Sequence, residues 1–159
     1  MKKTLKTEKV LEVYQVLSGA KYGKLEGDEQ VKMVKNLLAF KPTAEKFEAD
    51  TKAASDKLKE GFEGIDEKLQ KANQYRDMLS DPNADASTFP MGPAEYHNFM
   101  HGEFAEFNKR VTAAVKSKAE ANVSIEFEPI SNAMLQKLMQ SNSNWTIGQA
   151  SILAIITEK

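Results

Sequence analysis

A chain of 159 residues fits one ordinary domain and can bury a core without disulfides or a structural metal. It contains no cysteine, which excludes disulfide frameworks, cysteine nucleophiles and thiolate zinc sites and is only a weak pointer to a reducing compartment. Its 22 lysines and arginines nearly cancel 23 aspartates and glutamates, so the bulk charge that draws a protein to polyphosphate is missing and nucleic-acid binding is disfavoured.

Lys2 and Lys3 begin the chain as a signal peptide does, but Lys6, Glu8, Lys9 and Glu12 interrupt any apolar continuation. The apolar run at 152–156 is far short of the roughly 20 residues needed to span a bilayer. A soluble, cytoplasmic protein is expected. Residues 7–18 place Val10, Leu11, Val13, Tyr14, Val16 and Leu17 close to the spacing of an amphipathic helix, with Thr7 as candidate N-cap. Just before it, residues 4–6 are too few to assign by period and read as a frayed end or a short strand. Gly19, Gly23 and Gly27 mark a loop. Asp28 is placed to cap a second helix with Val31, Val34, Leu37, Leu38 and Phe40 as its apolar face and lysines opposite. Pro42 is expected to stop or kink it, because the ring removes a backbone donor and disfavours helical geometry at Lys41. Thr43 is then a fresh N-cap candidate, with Lys46 where a full capping box has an acid.

From 44 to 79 the residues Phe47, Thr51, Ala54, Leu58, Phe62, Ile65, Leu69, Ala72, Arg76 and Leu79 alternate four and three apart, a heptad seam with two polar interruptions. This predicts one long helix of coiled-coil character, weakened by about 1 kcal/mol at each of Gly61 and Gly64, with a bend or close approach near Phe62. The proline-rich and glycine-containing stretch at 80–93 is a loop in which the chain reverses. From 94 to about 120 the period returns, with Tyr96, Met100, Phe104, Phe107, Val111 and Ala114 on one face and Phe99 and Val115 beside them. These aromatics read as core before they read as a partner-binding stripe. An antiparallel hairpin over 44–120 lets each narrow stripe cover the other.

Residues 122–130 change period: Val123, Ile125 and Phe127 alternate with Ser124, Glu126 and Glu128 before Pro129, as in a half-buried strand. Its partner is either the segment 4–6 or the edge of another chain. Ser131 is placed to cap a helix reaching 140, and Thr146 a last segment that begins helical. The expected fold is mainly α, at the margin of α+β. It comprises a long antiparallel helical hairpin with short flanking helices and a minor β element, in a single domain spanning 1–159 with a small strand–helix subregion at 122–159.

His97 and His101 lie four apart on a predicted helix with Glu103 and Glu106 nearby, so both imidazoles can face one metal. In zincins the residue after the first histidine is the glutamate base, whereas here it is Asn98. Exposed surface histidines are the simpler reading. The run 81–85 matches the first half of an EF-hand loop, but Ala86 stands where that loop needs glycine and Gly92 where it needs a bidentate glutamate. Gly19, Gly23 and Gly27 have the wrong spacing for a phosphate-binding loop, and no serine elbow is present. No catalytic residue, resident metal or cofactor is assigned. Trp145, isolated in a polar loop, is either an exposed anchor or a lid over one end of the core.

The segments 31–38 (Val-Lys-Met-Val-Lys-Asn-Leu-Leu) and 124–130 (Ser-Ile-Glu-Phe-Glu-Pro-Ile), together with this order of elements, resemble an uncharacterised family of small proteins of tailed phages and prophages found among tail and structural genes. The loop at 80–93 departs from its pattern. That family has no agreed activity or site, so the resemblance carries over no functional residue. The reading is a non-enzymatic assembly or interaction protein that binds a protein partner or itself, with Val123, Ile125, Phe127 and Trp145 as candidate contacts. A metal-binding protein using His97 and His101 is the alternative.

Overall fold

The computed structural model describes residues 1–158. In chain order they form β1 (Lys2–Lys6), α1 (Thr7–Ser18), α2 (Gly27–Lys59), α3 (Ile65–Leu79), α4 (Pro93–Asn98), α5 (Phe104–Glu120), β2 (Asn122–Glu126), α6 (Asn132–Ser141) and α7 (Ile147–Ile152). Single 3-10 turns lie at Ala86–Thr88 and Leu153–Ile155, and a π turn at Phe99–Glu103 joins α4 to α5. The chain is thus mainly α with a minor antiparallel β element. Its contacts group into two compact units, Met1–Asp50 with Ser117–Lys159 and Thr51–Lys116. The packing boundary falls inside α2 and α5.

In the first unit, the alternation of 122–126 finds its partner within the chain. β1 pairs antiparallel with β2, setting Leu5 opposite Val123 and Lys3 opposite Ile125. The inward side chains of this ribbon meet Val10, Val13 and Leu17 of α1, Met33 and Phe40 of α2, and Leu138 of α6. Phe40 and Phe127 approach to 5.8 Å between ring centroids. Thr7 does not cap α1, because its hydroxyl and its amide both donate to the Ala121 carbonyl, at 2.9 and 2.8 Å. Ser131 does cap α6, accepting from the Met134 amide, and Thr146 with Gln149 closes a reciprocal capping box on α7. α2 runs through Pro42 without stopping. Pro42 and Leu38 are both exposed, so the carbonyl that Pro42 cannot bond is on the exposed side of the helix, where solvent can take the place of the lost donor.

The second unit corrects the single helix expected over 44–79. α2 ends at Lys59, and α3 begins after Gly64, whose φ of 67° is left-handed and open to glycine at little cost. The heptad spacing then drifts, as 3.6 residues per turn requires over this length. Tyr75 is buried where the seam had placed Arg76, and Leu79 is exposed. Tyr75 joins Ile65, Ala72, Met91, Phe99 and Phe107 in a core of its own. The π turn inserts an extra residue into the α4–α5 run, so that Phe99 and Phe104, five apart, share one face with their rings 5.8 Å apart.

The Gly64 conformation yields a direct check. A Cβ at Gly64 meets no atom within 4 Å, so Gly64→Ala costs only the left-handed backbone, about 1–2 kcal/mol of unfolding free energy. Gly61 has no such φ and a Cβ there meets only the Leu58 carbonyl at an ordinary 3.5 Å. Gly61→Ala should therefore be neutral or slightly stabilising in urea unfolding, whereas equal helix penalties at the two glycines would make both substitutions stabilising.

Candidate functional site

The feature that decides which side chains of the first unit face outward is a buried amide. Asn36 is fully buried on α2, and its side chain donates to the Glu128 carbonyl at 2.7 Å while accepting from the Glu128 amide at 2.8 Å. Lys35 adds an ion pair to the Glu128 carboxylate at 3.0 Å, and Lys32 donates to the Pro129 carbonyl at 3.2 Å. Near the start of α2, Lys137 reaches Glu26 and Glu29 at 3.0 and 2.9 Å. The Glu29 carboxyl is held below the usual carboxylate range by the Glu26 amide first and by Lys137 second. These bonds fix how α2 is rolled.

The roll differs from the one the sequence suggested. Met33, Asn36 and Phe40 face inward, and Leu37 is half-buried. Val31, Val34 and Leu38 face outward and keep 54, 48 and 58 % of their surface exposed. They are three and four residues apart, so they form one stripe on the helix, continued by exposed Pro42. Sequence reading placed all three inward. The signal it passed over was the number of apolar residues at 31–40, more than a single buried face can take.

The four candidate contacts do not share a surface. Ile125 and Phe127 are buried in the core, which leaves them nothing to offer a partner. Trp145 is half-buried against that core, the lid arrangement, and its amide donates to the Asn142 carbonyl at 2.9 Å. Ile147, two residues on, is 88 % exposed. Val123 is half-buried and lines a cleft of about 370 Å³ between the middle of α2 and the junction of α5 with β2.

In the second unit, the exposed rings of His97 and His101 lie 4.4 Å apart, tilted by 39°. The glutamates that the sequence set beside them have other partners. Glu103 accepts from Lys68 at 2.8 Å, and Glu106 from Arg110 at 2.9 Å, which lowers its pKa. Among the described residues no group of three or more histidine or acidic side chains is placed to hold a metal. The carboxylates of Asp81 and Asp85 turn onto their own backbone, accepting from the amides of Asn83 and Ser87 at 2.9 Å each. Among the described residues no helix is long and apolar enough to cross a membrane.

Removing the Asn36 amide should be costly, since Asn36→Ala leaves the part-buried N–H and C=O of Glu128 without their partner. A loss of about 2–4 kcal/mol is expected in denaturant unfolding. Asn36→Asp, which keeps the acceptor but loses the donor, should also destabilise; wild-type stability in either variant would contradict the role given to this clamp. No protein-family model, curated protein or solved structure matches the chain.

Proposed function

We propose that the chain is a non-enzymatic assembly or interaction protein, of the phage or prophage kind its sequence resembles, that engages a protein partner through the outward face of α2. The observation carrying this reading is the exposed stripe of Val31, Val34 and Leu38 on a helix whose roll is fixed by Asn36 and Glu128. A mobile helix would turn such residues inward. Here the inward positions are already filled, so the exposed apolar surface is built in, and surface of that kind marks contact sites. Its spacing forms a seam about 10 Å long, which fits an apolar stripe of the same period on a helix of the partner.

The test uses the full chain with a photo-crosslinking residue at position 31, in lysate and as pure protein, alongside sedimentation velocity. The expected result is a protein adduct that Leu38→Glu or Val34→Glu reduces about tenfold or more while the thermal midpoint stays unchanged. Adducts indifferent to both substitutions, or no adduct with any chain and no self-association, would overturn the reading.

A second reading, metal binding at His97 and His101, rests on the approach of their rings. Two imidazoles supply only half of a tetrahedral set. Elemental analysis of protein purified without a histidine tag separates the readings: stoichiometric zinc, manganese or iron that is lost in His97→Ala would favour this one, and a substoichiometric trace would end it.

A further inference from the structure

The cleft beside Val123 lies within the first unit; it borders the α2 stripe at Pro42, but none of Val31, Val34 and Leu38, on which the proposed function rests, lines it. Its apolar lining comes chiefly from Pro42, Phe47 and Val123, and its charged groups are Lys46, Asp50 and Lys118. At about 370 Å³ it is at the small end of ligand-binding cavities. The charges are unequal: two ammonium groups face one carboxylate. Lys46 already bonds Asp50 at 2.7 Å, and this bond, with the further attraction of Lys118, holds the Asp50 carboxyl below its ordinary range. Asp50 is therefore ionised at neutral pH and largely satisfied by Lys46. Lys118 is the half-buried one of the two lysines and lines the cleft together with its apolar residues. What the cleft has in surplus is one positive charge beside an apolar recess.

We infer that this cleft binds a small free aliphatic carboxylate, with its chain against Pro42, Phe47 and Val123 and its carboxylate beside the Lys118 ammonium. A cation of the same shape would meet two like charges at the rim. A neutral alcohol would fill the recess but leave the surplus ammonium unpaired, so both should bind more weakly. Dicarboxylates and phosphates lack the apolar body that the recess can bury.

The experiment is a titration of isotopically labelled full-length protein with octanoate, followed at the backbone amides of Thr43 and Val123. Octanol and octyltrimethylammonium serve as the neutral and cationic counterparts. Saturable shifts with a dissociation constant of about 1 mM or tighter are expected for octanoate, weakened about fivefold or more by Lys118→Gln. Ala121→Trp, at an exposed position of the lining, should block the cleft and abolish the shifts. Lys46→Gln, which returns Asp50 to competition for Lys118, should weaken binding too and gives a second test if either other variant folds poorly. Equal binding of octyltrimethylammonium, an affinity indifferent to these substitutions, or no saturable shift at about 5 mM octanoate would overturn the inference. Because none of these variants touches the α2 stripe, failure here leaves the proposed function standing, and failure of the stripe test leaves this cleft standing.

Discussion

One asparagine side chain sets the geometry on which the first unit depends. Asn36 meets both the N–H and the C=O of Glu128, the same pair of groups that a neighbouring strand would meet. A helix thereby takes the place of a strand beside the segment that leaves β2. Asn142 repeats the device, accepting from the Lys21 amide at 2.7 Å and donating to the Lys21 carbonyl at 2.9 Å. Both asparagines are nearly or fully buried, and among the described residues no buried side-chain nitrogen or oxygen lacks a partner. An amide buried in apolar surroundings is costly unless satisfied, so each of these bonds excludes other packings more strongly than it adds stability. An aliphatic core of interchangeable valines and leucines would otherwise tolerate several rolls of α2.

That exclusion explains the disposition of apolar surface. With Asn36 pinned, α2 cannot rotate to hide Val31, Val34 and Leu38, and the stripe is the surface counterpart of a satisfied polar group in the core. The second unit is organised by different means. Its core is aromatic and is joined by rings instead of amides: Tyr75 meets Phe89 and Tyr96 at 5.5 and 5.0 Å, and Phe62 meets Phe107 edge-on at 5.3 Å. The π turn serves the same end, resetting the register so that the aromatic face stays continuous across α4 and α5.

Legibility in the sequence followed the reach of the forces involved. Periodic patterns found α1, the strand at 122–126 and the run from 94 to 120, and short-range hydrogen bonding found the caps at Ser131 and Thr146, because these depend on residues a few positions apart. Pro42 misled because its cost depends on whether the orphaned carbonyl faces water, which only the roll of α2 decides. The roll in turn depends on Glu128, distant in sequence, so no local pattern could set Val31, Val34 and Leu38 outward. β1 was left open for the same reason: five residues with three lysines become a strand only when β2 supplies the ladder. Of the candidate contacts, the period correctly marked Ile125 and Phe127 as one-sided but could not say that their own core covers them. Val123 is half-buried and lines the cleft beside α2.

The first unit joins residues 1–50 to residues from 117 onward, and the second is a contiguous stretch between them. During synthesis the aromatic core of 51–116 has all its members before β2 emerges, whereas α1 and the first half of α2 have neither their strand partner nor the peptide of Glu128. The early segment must therefore wait, with Val10, Val13, Met33 and Phe40 still uncovered, while the inserted stretch can already pack. The topology thus makes the middle of the chain the first unit to have all its residues synthesised, and the unit built from both ends the last.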